Sequence, residues 1–564
     1  MTAYRTYIDA FHDRAAEAPG RDALVLLDER DGRLTPEHIT YGDLAARVRT
    51  LAGRLRAHAA PGDRVLVLHS SRRLFATAFL ACLHAGAVAV PVAPPGGRGH
   101  HDERVAGIVK DAAAACVLTE AAHAADVSQL LARTGFGEVT CLLTDAAPAA
   151  PAAPEPPAAA PAPDDVAYLQ YTSGSTREPR GVMVSHRSLL ANLEAIRTAL
   201  GTGPASRFGG WLPLHHDMGL VGQLLHPLWL GTTTVMLSPQ SFVKKPFHWL
   251  DAVSRYRLTV SGAPDFAYDL CLRRINDSQI ASLDLTCWRT AVDGGEPVDP
   301  AVLAAFARRF APAGLDPRAL TPAYGLAEAT LMVSGGPVDG GPDPAGGQPA
   351  VSCGAPASVE VRIVDPRTGA EVPAGRTGEI WVRGDSVAPG YWRRPAETAE
   401  TFGARLGDQG GYLRTGDLGT LDRHGLLRVT GRIKDMIVVA GRNLYPQDVE
   451  RTVQQVSGLF GPASVFAVPG ARERVVVVQE LRARGHYDID LASLAASVEA
   501  RIGEEHEVRT GGLLFVRPGT VRRTTSGKVE RAAMRRMFLR GELSPLHQRV
   551  DGEVERLLTA GGGT

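Results

Sequence analysis

Between residues 40 and 145 the chain alternates between stretches with helical spacing of apolar residues and short runs rich in Val, Leu and Ala. Tyr41 to His58 is spaced as an amphipathic helix, Asp63 to His69 as a Val/Leu-rich strand, Leu74 to Ala85 as a helix and Ala87 to Val92 as a further strand. Such alternation predicts βαβ units around a mostly parallel sheet. At 564 residues the chain is too long for one hydrophobic core, so two or more domains are expected.

Downstream, the pattern changes several times. Residues 146–163 are Ala and Pro apart from Glu155, a composition expected to form a polyproline-like surface connector. A strand from Val166 to Gln170 then runs into a Thr/Ser/Gly-rich loop, followed by a helix from Ser188, and alternation continues to about Val333. Gly, Pro and Asp dominate 335–349, which reads as a loop. From 358 to 430, short Val/Ile strands are separated by turns such as Asp365-Pro366 and Arg423-His424-Gly425, as in a small antiparallel or barrel-like subdomain. Beyond Asp435 the pattern is an α+β mixture ending in a basic helix from about Glu530.

Charge and cysteine usage narrow the function classes. Lys+Arg and Asp+Glu both number 61, giving no support to a nucleic-acid or anionic-membrane partner. The six cysteines are widely spaced and form no C-x-x-C pair, so neither a zinc site nor a disulfide framework is expected, and a cytoplasmic location fits. The N-terminus has no apolar signal-peptide core. The most apolar run, Phe75 to Pro91, is broken by His84 and Gly86 and is too short to span a bilayer.

Five short stretches carry the chemistry: Tyr171 to Gly181 (YTSGSTREPRG), Tyr324 to Glu328 (YGLAE), Thr415-Gly-Asp417, Gly431 to Lys434 (GRIK) and Thr525 to Lys528 (TSGK). In the first, Thr172, Ser173, Gly174, Ser175 and Thr176 offer backbone N–H groups and hydroxyls without bulk between a strand and a helix, a way of surrounding phosphate oxygens. The spacing is not that of a Walker A loop. Gly294-Gly295-Glu296 follows a strand-like segment, and its paired glycines permit close approach of a flat base. Asp417 is a carboxylate of the kind that anchors a ribose diol. A mobile ammonium at Lys528 would stabilise negative charge developing on an α-phosphate.

Together these stretches resemble the adenylate-forming superfamily of acyl-CoA synthetases, luciferases and peptide-synthetase adenylation domains. The resemblance implies ATP and Mg²⁺ as cofactors, with Glu328 as the metal carboxylate and Thr176 close to it. Tyr324 and Gly325 would lie along the adenine, with Gly294, Gly295 and Glu296 also on the base. Asp417 and Arg432 would hold the ribose, Lys434 would be the hinge, and Lys528 the catalytic lysine. It also implies a large N-terminal domain over 1–433, with a β-rich subdomain at about 350–430, and a small mobile α+β C-terminal domain over 434–564.

Further runs resemble fatty acyl-AMP ligases: Trp211 to Leu220 (WLPLHHDMGL), Ser261 to Leu270 (SGAPDFAYDL), Asp293 to Val298 (DGGEPV), Val351 to Gly354 (VSCG) and Gly441 to Glu450 (GRNLYPQDVE). In that family His216 would position the carboxylate. A fatty or other carboxylic acid would become acyl-AMP and then pass to the phosphopantetheine thiol of an acyl carrier protein. The chain ends 36 residues after Lys528, so the carrier is expected to act in trans, as in polyketide or lipopeptide biosynthesis. Two departures stand out. Arg177 and Arg180 occupy positions where relatives carry Gly and Lys, and the insertion usual before Val-Ser-Cys-Gly is shortened to 335–349. The second keeps CoA open as the acceptor. Two further alternatives are an adenylating enzyme for a non-fatty acid in secondary metabolism and a fold that has lost catalysis.

Overall fold

The structure is a computed structural model that describes residues 4–30, 33–96, 99–146, 161–171, 179–336, 351–439, 442–468, 473–482, 489–523 and 528–561. The Thr/Ser/Gly stretch Thr172 to Thr176, most of the Ala/Pro connector and nearly all of 335–349 lie outside the described residues.

The chain divides into two compact units. The first comprises Met1–Thr415 and Thr420–Val429, the second Gly416–Gly419 and Thr430–Thr564. The architecture is mixed α/β: a large N-terminal region of parallel sheets and a smaller C-terminal α+β region.

One seven-stranded sheet of the first unit runs in the order Gly390–Tyr391, Gly181–Ser185, Val166–Tyr171, Val88–Val92, Arg64–Leu68, Cys116–Thr119, Thr140–Leu143. Its last five strands are parallel, while the first two add antiparallel. The parallel strands are apolar on both faces because helices cover both; Val65 to Leu68 and Val88 to Val90 are all buried. The connecting helices show local reasons for their ends. Thr40 Oγ1 accepts from Asp43 N to cap Tyr41–Leu55, and Ser71 Oγ does the same for Arg72–Ala85. The latter helix stops at Gly86, whose φ of 75° provides the left-handed cap. Ser71 explains why that helix starts at Arg72, two residues before the apolar spacing indicates.

The second seven-stranded sheet runs Leu320–Pro322, Thr290–Asp293, Val260–Ala263, Phe208–Gly210, Thr234–Leu237, Asp22–Arg30, Arg33–Thr40. All neighbours are parallel except the last pair, an N-terminal hairpin. Below it an aromatic core gathers Trp211, Phe242, Trp249, Tyr268, Trp288 and Phe306. Trp211 stacks on Phe242 at 3.9 Å. The β-rich region supplies a five-stranded sheet built from Glu360–Val364, Gly378–Arg383, Gln409–Leu421, Ala404–Leu406 and Leu427–Arg432.

The second unit centres on a four-stranded sheet ordered Phe460–Val468, Arg474–Leu481, Thr510–Val516, His547–Val550, packed with helices Pro446–Val456, Leu491–His506 and Arg531–Leu539. No described helix is long and apolar enough to cross a membrane.

Candidate active site

In the first unit, the nucleotide-facing candidates sit at the carboxyl ends of parallel strands, where open α/β sheets place their ligands. Gly294 and Gly295 follow the strand Thr290–Asp293, and Tyr324 lies two residues beyond its neighbour Leu320–Pro322. Ala323 N donates to Asp293 O at 2.8 Å, and a Cβ on Gly294 would stand 2.8 Å from Ala323 O. The two segments are therefore backed onto each other with no room for a side chain. Gly295 has φ +86°, and its Cβ would meet Met218 Sδ at 2.9 Å. That contact brings the glycine turn beside the segment carrying His216. Glu296 is turned to backbone: its Oε1 accepts from Phe266 N at 2.8 Å, at the start of the helix Asp265–Arg274.

His216 is about a quarter exposed, and its Nδ1 lies 3.0 Å from Asp217 Oδ1. A carboxylate accepts only, so in the neutral ring Nδ1 carries the proton and Nε2 is the acceptor. Asp217 Oδ1 also accepts from Met218 N at 2.7 Å, at the start of a π-helical segment, Met218–Leu225.

Tyr324 is buried and pairs with Ser334. Gly325 is sterically obligatory, because a Cβ there would lie 1.8 Å from Leu331 O. Gly325→Ala is expected to cost about 1–3 kcal/mol of stability and to displace Tyr324. A lowered urea midpoint together with a raised KM for ATP checks this. Glu328 stands half-buried on the short turn Ala327–Ala329, with its Oε1 accepting from the Tyr391 hydroxyl at 2.9 Å. The backbone at Thr330 takes φ 70°, and its hydroxyl donates to Ser386 O. A left-handed β-branched residue is held only where surrounding contacts over-determine it.

Asp293 has no counterpart among the residues expected from sequence. It is fully buried, with the carboxyl group of Asp265 as its nearest charged neighbour. Burial, helped by the carboxylates of Asp265, Glu296 and Asp299, holds Asp293 well above the ordinary carboxylate range. Burial likewise pushes Asp265 up to about 7. Both shifts favour the protonated form in the folded state, so stability from this pair is complete in acid and is lost as pH rises through about 7. Asp293→Asn should flatten that decline, read as urea midpoints measured between about pH 4 and pH 8.

In the second unit, Arg432 Nε lies 2.7 Å from Asp417 Oδ1, so the two ribose candidates are an ion pair. Asp417 is nearly fully buried, whereas Arg432 is about half exposed. Lys434 lies on the short turn Ile433–Asp435. Lys528 precedes Val529, which bridges Arg523, and Glu530 N donates to Arg522 O at 2.9 Å. Three residues on, Arg531 forks onto Glu450 at 2.7 and 2.5 Å and reaches Asp435 at 3.7 Å. This roots the segment after Lys528 next to the turn that bears Lys434. Arg531 and Glu450 were not singled out from sequence, because their partnership joins residues 81 apart.

Residues 11–392 match the family described as AMP-binding enzyme, and residues 434–548 match the AMP domain of the Disco-interacting protein 2-like type. The chain belongs to the AMP-binding enzyme family. Within that family it is an ATP-using enzyme of the fatty-acid–AMP ligase type. It is 37% identical to a long-chain-fatty-acid–AMP ligase of Mycobacterium marinum, over 92% of this chain and 95% of that protein. A 4-hydroxyphenylalkanoate adenylyltransferase of Mycobacterium tuberculosis is also 37% identical, over 95% of this chain and 92% of the relative. Among solved structures, the fatty acyl-adenylate ligase of L. pneumophila in complex with acyl adenylate and pyrophosphate is 34% identical, with a TM-score of 0.73, covering 97% of this chain and 98% of that one. A structure from a study of fatty acyl-adenylate ligases of E. coli and L. pneumophila gives 33% identity and a TM-score of 0.85, covering 95% and 98%.

Proposed function

We propose that the chain activates a fatty acid as acyl-AMP and hands the acyl group to the phosphopantetheine thiol of an acyl carrier protein in trans, within the cytoplasm. In the first step a carboxylate oxygen attacks the α-phosphorus of ATP, the bond to the β-phosphate oxygen breaks, and pyrophosphate leaves. In the second the thiol sulfur attacks the acyl carbon and AMP leaves. Gly294, Gly295 and the ring of Tyr324 take the adenine, with Glu296 and Gly325 shaping the segments that carry them. Asp417 and Arg432 hold the ribose, and Thr172, Ser173, Gly174, Ser175 and Thr176 the phosphates. His216, its tautomer fixed by Asp217, orients the carboxylate. Lys528 supplies the charge that meets the α-phosphate, and Lys434 is the pivot between the half-reactions.

Mg²⁺ fits the residues present. Among the described residues no three His, Cys, Asp or Glu side chains gather as a metal cage. A lone half-buried carboxylate such as Glu328, with Thr176, matches an ion that prefers one or two carboxylates together with phosphate oxygens and water. When bound, the ion would neutralise phosphate charge. The cytoplasmic assignment draws on six cysteines that are all free thiols, five of them buried.

The observation that carries the reading is the Gly295–Met218 contact, which sets a base-sized glycine turn against the His216 segment. ATP–pyrophosphate exchange over a panel of fatty acids tests it, and an enzyme silent with every chain length would refute it. Supplying CoA and holo carrier protein in parallel separates the acceptors; faster thioester formation on CoA would overturn the carrier assignment.

A further inference from the structure

Two antiparallel strands, Val166–Tyr171 and Gly181–Ser185, bracket the phosphate segment, with Tyr171 and Gly181 as register partners. A Cβ on Gly181 would stand 2.9 Å from Tyr171 Cζ, so the entry and exit face each other at contact. Around this pair lies a run of charged side chains with no role in the site described so far. The Tyr171 hydroxyl donates to Asp111 Oδ2 at 2.6 Å. Arg394 Nη2 lies 3.5 Å from Asp111 Oδ1 and donates to Pro179 O, the exit backbone, at 3.4 Å. Arg394 Nη1 donates to Glu397 Oε1 at 2.9 Å, while Arg180 Nε sits 2.8 Å from Glu397 Oε2. Arg180 also lies over the ring of Tyr391 at 5.7 Å, and that tyrosine's hydroxyl holds Glu328.

The backbone supports the same arrangement. Trp392 N donates to Gly181 O at 2.8 Å, clamping the Tyr391 segment to the exit strand. Arg393, just before Arg394, takes φ 54°, a left-handed conformation that a non-glycine residue holds only under constraint. Pro179 packs so tightly on the helix Gly99–Ala112 that a Cβ on Gly107 would come within 3.0 Å of its Cγ. Asp111 belongs to that helix, so the anchor is a rigid element.

We propose that Arg394, with Asp111 and Glu397, forms an ionic clasp that fixes both ends of the phosphate segment and sets them in register with Glu328. Arg394 is thus a positioning residue for the triphosphate end of ATP. The inference rests on the reading of Thr172 to Thr176 as phosphate-binding. Arginine suits the role because its planar fork addresses a carboxylate, a second carboxylate and a carbonyl at once, which a lysine ammonium does less well.

Calorimetric titration of the full chain with a non-hydrolysable ATP analogue and, separately, with AMP tests the clasp, because AMP lacks the β- and γ-phosphates. Arg394→Met and Glu397→Gln should each weaken the analogue by roughly tenfold, the scale of one charge-assisted hydrogen bond, and leave AMP within about twofold. Arg394→Lys should fall between the wild type and Arg394→Met. KM for the fatty acid should not move. Equal weakening of analogue and AMP, or no change in either, would overturn the proposal. If Arg394→Met melts below the assay temperature, the near-isosteric Glu397→Gln carries the same test. A wild-type enzyme that binds the analogue no more tightly than AMP would instead remove the phosphate reading, and the clasp with it.

Discussion

Replacing Lys528 with alanine should slow fatty-acid adenylation by at least ~10²-fold, the loss seen when one preorganised donor to a developing charge is removed. The segment that follows it is independently rooted by the Arg531–Glu450 fork, so the substitution should leave the second unit folded and its melting temperature unchanged. Thioester formation from premade acyl-AMP should suffer less, because the attack in that step falls on the acyl carbon and not on the α-phosphorus. Single-turnover measurement of each half-reaction gives the comparison. Losses of equal size in both would show that Lys528 does not serve the first step.

Glu328→Gln is the second large effect. The amide keeps the size of the carboxylate and still accepts from the Tyr391 hydroxyl, so packing on the turn Ala327–Ala329 should survive. What disappears is the carboxylate proposed to hold Mg²⁺, and adenylation should fall on the order of 10²-fold. The Mg²⁺ concentration giving half-maximal exchange should rise in the same variant. Binding of Mn²⁺ with ATP, followed by electron paramagnetic resonance, should weaken as well, which separates a metal role from general damage. An unchanged Mn²⁺ signal with reduced activity would remove Glu328 from the metal site.

Much of the parallel architecture was legible because it rests on local patterning. Alternation over residues 40–145 marked helices and strands whose observed bounds differ by a few residues, and the differences trace to caps. Ser71 starts its helix early, while Tyr41–Leu55 ends three residues before His58, with Arg56 as its C-cap. The hairpin Asp22–Arg30/Arg33–Thr40 was not foreseen; its partner in the sheet is Thr234–Leu237, some 200 residues away. Among candidate site residues, those in short contiguous motifs could be named from sequence. Their neighbours could not. Asp293 was visible only as the residue before two glycines, and the carboxyl group that perturbs it, Asp265, comes from the adjoining strand–helix turn. Tyr391, Arg394 and Glu397 belong to no motif singled out from sequence, and what they touch is set by strand pairing across some two hundred positions.

The strand Gly390–Tyr391 is only two residues long, yet it caps the open side of Gly181–Ser185. A truncated version of this enzyme ending near residue 385 would strip that cover and present bare amide and carbonyl groups to solvent. Such an uncovered margin invites pairing with other molecules. Anyone expressing the N-terminal portion by itself should place the stop codon beyond Phe402, after the helix Pro395–Phe402 that follows the strand.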